Sequence, residues 1–175
     1  MQETTTPEVL EQEKQAILTE LRDAPEAFAL LFEREDEETL HFRPAPGEWS
    51  AVETVAHLGD LDAFNRTERF NAVLIEENPT LPAYEPADAR VTAGDYQALS
   101  GTEALDFFKR ERDLIVSLLE GLRPHELART GIHPKMGERT LLQMADLREH
   151  DRNHLDQARA AIAAAKQQSA MNDER

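Results

Sequence analysis

The chain has 175 residues, no cysteine and a formal net charge of −16 at neutral pH. This length suits one domain with a buried core, and the charge disfavours binding to the phosphate backbone of nucleic acid or to an anionic membrane surface. Without cysteine the chain has no disulfide, thiolate ligand or cysteine nucleophile, so any thiol in its chemistry comes from a substrate.

The first predicted helix begins beside Thr6, whose hydroxyl can cap free backbone amides, and has Pro7 at its first position. The helical spacing continues to about Glu33, while Pro25 inside it predicts a kink or a division into two helices. The polar N-terminus lacks the features of a signal peptide, and no apolar run reaches membrane-spanning length. We therefore expect a cytoplasmic location.

The second predicted helix runs from about Ala51 to Glu77. Ser50 and Glu53 match a capping box, in which a hydroxyl and a carboxylate satisfy each other's free backbone amides. His57 lies on one stripe of this helix. The other members of the stripe are both apolar and acidic (Glu53, Asp60, Leu61, Phe64 and Glu68).

The connection after the second helix contains three prolines that end helical structure (Pro79, Pro82 and Pro86). No strong pattern returns until Ser100, which forms another capping box with Glu103. About twenty residues can extend over roughly 60 Å, further than the length of a bundle. The second and third helices can therefore run parallel, joined by a crossover.

The third predicted helix ends at Gly121, and an irregular connection leads to Thr140, which caps a final helix reaching Lys166. We find no strand pattern, so the prediction is an all-α four-helix bundle. Residues 1–168 form one domain in this prediction, and residues 169–175 form a disordered tail.

The final predicted helix carries His150 and His154 one turn apart on its inward face. Neutral imidazole suits zinc, nickel and iron, and three protein ligands leave a position open for water or substrate. His57 could be the third ligand if the fold brings the two helices together. From the residues alone, a metal site and ordinary core or pocket-lining histidines both remain open.

Two segments of the chain resemble the DinB-like (DinB/YfiT) superfamily. RPAPGEWSAVETVAHL, from Arg43 to Leu58, resembles the entry to that superfamily's second helix, and GIHPKMGERTLLQMADLREHDRNHLDQ, from Gly131 to Gln157, resembles its final segment. The motifs are specific in combination: tryptophan followed by serine, a histidine on the next helix and then HxxxHxxQ. The resemblance covers nearly the whole chain.

The resemblance implies a DinB/YfiT-like four-helix bundle with up-down-down-up topology and long crossover connections, often as a homodimer. It also implies a divalent metal ion held by His57, His150 and His154. Zinc or nickel is the expected metal, with iron and manganese as alternatives. Members with known activity include thiol transferases that use bacillithiol, mycothiol or glutathione and a mycothiol-dependent maleylpyruvate isomerase, while many others are labelled metal-dependent hydrolases.

Other polar and aromatic residues have two interpretations each. Asp151 is a candidate catalytic residue that orients a ligand or moves a proton, or else a partly buried partner of an arginine. Asp60 could be a fourth ligand or a hydrogen-bond acceptor for a ligand, although a surface carboxylate is the favoured interpretation. Trp49 could line a pocket, although packing at the helix entrance is favoured. Surface positions are expected for the remaining histidines (His41, His125 and His133).

Two known metal sites are poor matches. HDRNH has the spacing of the zincin HExxH motif, but its aspartate is one methylene shorter than the catalytic glutamate, and the paired glutamates of di-iron bundles are missing. We expect a metal-dependent enzyme that activates water or a low-molecular-weight thiol toward a small molecule. The competing hypothesis is a non-catalytic bundle that binds a small ligand or a protein.

Overall fold

Four long helical stretches make up most of the described part of the chain, which comprises residues 6–83, 89, 91 and 96–173 in this computed structural model. They confirm the predicted all-α four-helix bundle. Within these residues no helix is long and apolar enough to cross a bilayer. The elements in order are α1 (Pro7–Phe32), α2 (Glu37–His41), α3 (Ala51–Asp60), a π-helical segment (Leu61–Arg66), α4 (Thr67–Ile75), a 3-10 turn (Tyr96–Ala98), α5 (Gly101–Gly121), α6 (Pro124–Leu127), β1 (Thr130–His133), β2 (Gly137–Thr140), α7 (Leu141–Ala145) and α8 (Arg148–Asp173).

The core is divided into two clusters, one at each end of the bundle. The first cluster draws on the first half of α1, on α4, on the end of α5 and on the residues before α8 (Ile17, Leu21, Phe70, Val73, Ile115, Leu119 and Leu147). The second draws on the end of α1, on α3, on the start of α5 and on the middle of α8 (Phe28, Phe32, Val55, Leu58, Phe108, Ala158 and Ile162). Helices α1 and α8 therefore run one way and the other two run the opposite way, consistent with up-down-down-up topology.

The helix starts follow the local signals in the sequence. Thr6 caps α1, and both predicted capping boxes are present, at the start of α3 and at the start of α5. Of the two outcomes predicted at Pro25, the division does not occur, because α1 is continuous through it. Buried Leu21 and Phe28 on either side hold the helix against the core, which offsets the lost backbone hydrogen bond.

The second helical stretch departs from the regular helix that was predicted. Between α3 and α4 the backbone forms the π-helical segment Leu61–Arg66, and α4 ends at Ile75. A π-helical turn holds an extra residue, so it changes which side chains face inward beyond it. Asp62 and Arg66, both within this segment, are buried.

The sequence shows no strand pattern, but the structure contains two short strands, so the prediction of a chain without strands is wrong. β1 and β2 form an antiparallel hairpin in which Thr130 pairs with Thr140 and His133 with Gly137. Each strand has four residues and no alternating apolar pattern, so the sequence signal is weak. The hairpin packs through Gly131, where an added Cβ would lie 2.8 Å from Val73 Cγ2.

The final helix is also divided, whereas one helix from Thr140 to Lys166 was predicted. Thr140 caps the short α7, which ends at Ala145, and the extended ψ of 95° at Asp146 breaks the helix before α8 begins. Helix α8 then continues past Lys166 to Asp173, and residues 174–175 of the predicted tail lie outside the described residues.

Candidate metal centre

Three histidines converge between α3 and α8. His57 comes from α3, while His150 and His154 lie one turn apart on α8. The ring centroids are 6.3 Å apart for His57 and His150, 5.1 Å for His57 and His154, and 4.5 Å for the pair on α8. One nitrogen of each ring lies within 4.8 Å of the other two, and within the described ranges this is the group of side chains able to hold a metal ion.

Trp49 closes one side of the histidine group. Its ring centroid lies 4.9 Å from that of His57 and 6.2 Å from that of His154, with the second pair nearly parallel. Trp49 immediately precedes Ser50, the cap of α3, so the capping box that starts the helix also holds the indole in place. Trp49 packs against the second core cluster as well, which means that both interpretations of this residue describe real contacts.

Two of the three histidines, His57 and His154, are held in the neutral form that a metal ligand requires. His57 is only 5% exposed, and burial together with the neighbouring His154 and His150 lowers its pKa to about 3. Burial and His150 lower the pKa of His154 to about 4. His57 Nδ1 is buried and has no hydrogen-bond partner among the described residues. A neutral ring with an unpaired buried nitrogen, beside two more imidazoles, fits a divalent cation.

The two histidines of α8 each have a hydrogen-bond partner at Nδ1. Gln157 Oε1 lies 2.9 Å from His154 Nδ1, and Asp151 Oδ1 lies 3.3 Å from His150 Nδ1. An acceptor at Nδ1 of His154 favours the tautomer with the proton there and the lone pair on Nε2, as is usual for metal-binding histidines. Nδ1 of His150, in contrast, also lies 3.4 Å from Arg66 Nη2.

Asp151 contacts both a predicted metal ligand and a buried arginine. One oxygen contacts His150, and the other lies 2.5 Å from Nη1 of Arg112. Burial acts to raise the pKa of Asp151, but the hydrogen bond with His150 and the charge of Arg112 outweigh it and hold that pKa well below its usual range. The carboxylate is therefore an ionised acceptor, and a part in catalysis stays a prediction.

A buried charged network beneath the histidines was not anticipated from the sequence. Arg112 Nε donates to Asp62 Oδ2 at 2.7 Å, the other oxygen of Asp62 pairs with Arg66, and Arg66 Nη2 lies 3.4 Å from His150 Nδ1. The available signal was helical spacing, because Arg112 falls on the buried stripe of α5. The apolar members of that stripe are Phe108, Ile115, Val116 and Leu119.

Asp60 and two of the other histidines differ from expectation. Asp60 is 8% exposed, so the favoured surface position was wrong, and it does not belong to the histidine group. His125 is exposed as predicted. His41 and His133 are half-buried instead, with His41 Nε2 2.9 Å from the carbonyl of Leu99 and His133 Nε2 3.0 Å from Arg69 Nη1.

A surface cleft opens beside His154. It has a volume of about 460 Å³, within the range of about 300–1,000 Å³ found for small-molecule sites. Trp49, Gln157 and small residues of α8, Ala160 and Ala161, line it. A small molecule seated there would lie next to the histidines.

Comparison with known proteins agrees with this fold. The chain is similar to YfiT from Bacillus subtilis, with 21% sequence identity and a TM-score of 0.76 over 97% of this chain and 93% of that one. YfiT is described as "a probable metal-dependent hydrolase with an unusual four-helix bundle topology". No curated protein matches the sequence. The sequence profile of the DinB superfamily matches residues 20–158, which include all three histidines. The chain belongs to the DinB superfamily.

Proposed function

We propose that this protein is a metal-dependent enzyme in which His57, His150 and His154 hold a divalent cation. Zinc or nickel is the expected ion, with iron and manganese as alternatives. The observation that carries the proposal is the convergence of three imidazoles, two of them held neutral by burial, beside a cleft of small-molecule size. When bound, the cation supplies Lewis acidity that lowers the pKa of water or of a thiol.

The protein's own residues orient the ligands and seat the substrate. Gln157 and Asp151 fix the proton on Nδ1 of His154 and His150, and Trp49 shields the rings on one side. Asp151 serves here as an orienting group, because its pairing with Arg112 makes it a weak base. The cleft seats an electrophilic small molecule.

Two nucleophiles are supported by different observations. The likeness to YfiT supports water and hence hydrolysis. The family resemblance supports a low-molecular-weight thiol, and the cysteine-free chain requires such a thiol to arrive as a co-substrate. The protein then acts as a hydrolase or as a thiol S-transferase, and the nucleophile found in the product distinguishes the two.

Metal content and turnover test the proposal together. Protein purified without a histidine tag is analysed for bound metal and then assayed with zinc, nickel, manganese or iron, a panel of cellular thiols and several model electrophiles. We expect about one metal ion per site and metal-dependent turnover, both lost in a His57→Gln, His150→Gln, His154→Gln triple variant and kept in His125→Gln. No metal and no turnover in any combination would contradict the proposal.

The competing function is a non-catalytic module that binds a small ligand or a protein. The cleft beside Trp49 supports it, and Trp49 is the only tryptophan of the chain, so its fluorescence reports binding there. Ligand-dependent quenching that is retained in His150→Ala, with no turnover before or after the change, would favour this function.

We also propose a homodimer on the strength of the family resemblance. Light scattering over a range of protein concentrations measures the mass directly. A constant mass equal to the 19.8 kDa chain would contradict the dimer.

A further inference from the structure

Helix α5 carries a fully buried arginine in the bundle core. Arg112 is 0% exposed, and its guanidinium lies 4.7 Å from the ring centroid of Phe108. Nε donates to Asp62 of the π-helical segment at 2.7 Å, and Nη1 donates to Asp151 of α8 at 2.5 Å. One side chain therefore links carboxylates from two other elements.

Stability alone does not require such an arrangement. Burying an arginine and two carboxylates is costly, and apolar side chains of similar volume often stabilise a core equally well or better. The same side chains stand directly beneath a predicted metal ligand, because Asp151 also contacts His150. The network therefore has a candidate role at the metal centre.

An acceptor and a donor compete for His150 Nδ1. Asp151 Oδ1 lies 3.3 Å from this nitrogen and can only accept, whereas Arg66 Nη2 lies 3.4 Å from it and can only donate. The two neighbours favour opposite tautomers. Arg112 holds one oxygen of Asp151 and so presents the other to His150, while Asp62 pairs with both Arg112 and Arg66.

We propose that Arg112 is a positioning residue for the metal centre. By holding the Asp151 carboxylate it keeps the proton of His150 on Nδ1 and directs the Nε2 lone pair toward the cation. The metal-binding part rests on the proposed function, whereas the tautomer of His150 can be measured without metal.

The first test compares two conservative variants on the same helix. Arg112→Lys keeps the charge but loses the fork that reaches two carboxylates, and Arg110→Lys makes the same change at an exposed position. We expect Arg112→Lys to weaken zinc binding by about 10- to 100-fold and to alter the visible spectrum of the cobalt-loaded protein. We expect Arg110→Lys to change neither the zinc affinity nor the cobalt spectrum. Urea denaturation without metal identifies any variant that is not folded.

A double variant separates positioning from general loosening of the core. If Arg112 acts through His150, Arg112→Lys produces no further loss of zinc affinity in a His150→Gln background. Losses that simply add would overturn the proposal.

Nitrogen NMR of the imidazole rings at alkaline pH measures the tautomer of His150 and needs no metal. We expect His150 to carry its proton on Nδ1 in the wild type and to become a tautomer mixture in Arg112→Lys. If the wild type binds no metal, the proposed function fails while this measurement still decides the role of Arg112. If Arg112→Lys leaves the tautomer of His150 unchanged, the proposed positioning role of Arg112 is wrong. If Arg112→Lys does not fold, Arg112→Gln, which also loses the fork that reaches both carboxylates, replaces it in all three measurements.

Discussion

A histidine can bind a metal ion only when its ring is neutral, and the positions of His57 and His154 enforce that state. His57 is buried on α3, where every residue is buried, and His154 lies between Trp49 and His150. Removing a ring from water disfavours its charged form, and a second nearby ring disfavours it further. The low pKa values of His57 and His154 therefore prepare the site for a cation.

The same pKa values predict how stability depends on pH without metal. Unfolded histidines titrate near pH 6.5, whereas His57 and His154 stay neutral in the fold down to about 3 and about 4. Between those values the unfolded state binds more protons, so the free energy of unfolding falls as the pH decreases below about 6.5. Urea denaturation over this range should show a shallower pH dependence in His57→Gln and an unchanged one in the exposed His125→Gln. Equal slopes in all three proteins would contradict the assigned burial effect.

Among the elements, the start of α3 connects a local sequence signal to the site. Ser50 Oγ accepts from Glu53 N at 3.2 Å and from Gln97 Nε2 at 3.1 Å, and Glu53 pairs with Arg43. The cap therefore holds the loop that carries Trp49 against the helix that carries His57.

Loss of this cap should be measurable. Ser50→Ala leaves two donors without their acceptor, so we expect a loss of about 1–2 kcal/mol in the free energy of unfolding. Thr6→Ala, at the exposed cap of α1, is the comparison and should cost less, because water can replace its hydroxyl. If urea denaturation shows a larger loss of unfolding free energy for Thr6→Ala than for Ser50→Ala, burial does not determine how much a cap contributes to stability.

The close approach of α3 and α5 depends on a glycine. A Cβ at Gly59 would lie 2.7 Å from Phe107 Cδ1 and 3.1 Å from Phe108 Cα. We expect Gly59→Ala to lower the free energy of unfolding by about 1–3 kcal/mol, because part of the obstruction is backbone. Gly121→Ala, where no atom of the described residues lies within 4 Å of the added Cβ, should have little effect. Equal melting temperatures for the two variants would contradict this packing.

For the whole molecule, the histidine group joins two helices that are far apart in the sequence. His57 on α3 and the pair on α8 are brought together only when the bundle has closed, so a cation bound there favours the folded state. This linkage connects ligand binding at one site to the stability of the entire domain.

Metal should therefore raise the melting temperature. At a concentration of about 100 times Kd, binding adds roughly 2.7 kcal/mol to the free energy of unfolding, and chelator should reverse the shift. His154→Gln should abolish the response and His125→Gln should keep it. A wild-type melting temperature indifferent to metal and chelator would indicate a purely structural bundle.

Features that depend on neighbours within a few residues could be predicted from the amino-acid sequence. The caps at Thr6, Ser50 and Ser100 and the pairing of His150 with His154 follow from local hydrogen bonds and the 3.6-residue period. Motif resemblance added His57 and the family, and the profile match confirms that family.

Features that depend on packing between distant segments became visible in the folded chain and could not be predicted. The burial of Asp60, the hairpin, and the link from Asp62 through Arg112 to Asp151 are of this kind. The π-helical turn changes the inward face in the middle of a helix, and no helical period foresees that change. A carboxylate or an arginine looks the same in sequence whether it faces water or a buried partner, because its burial is set by what another helix places opposite it.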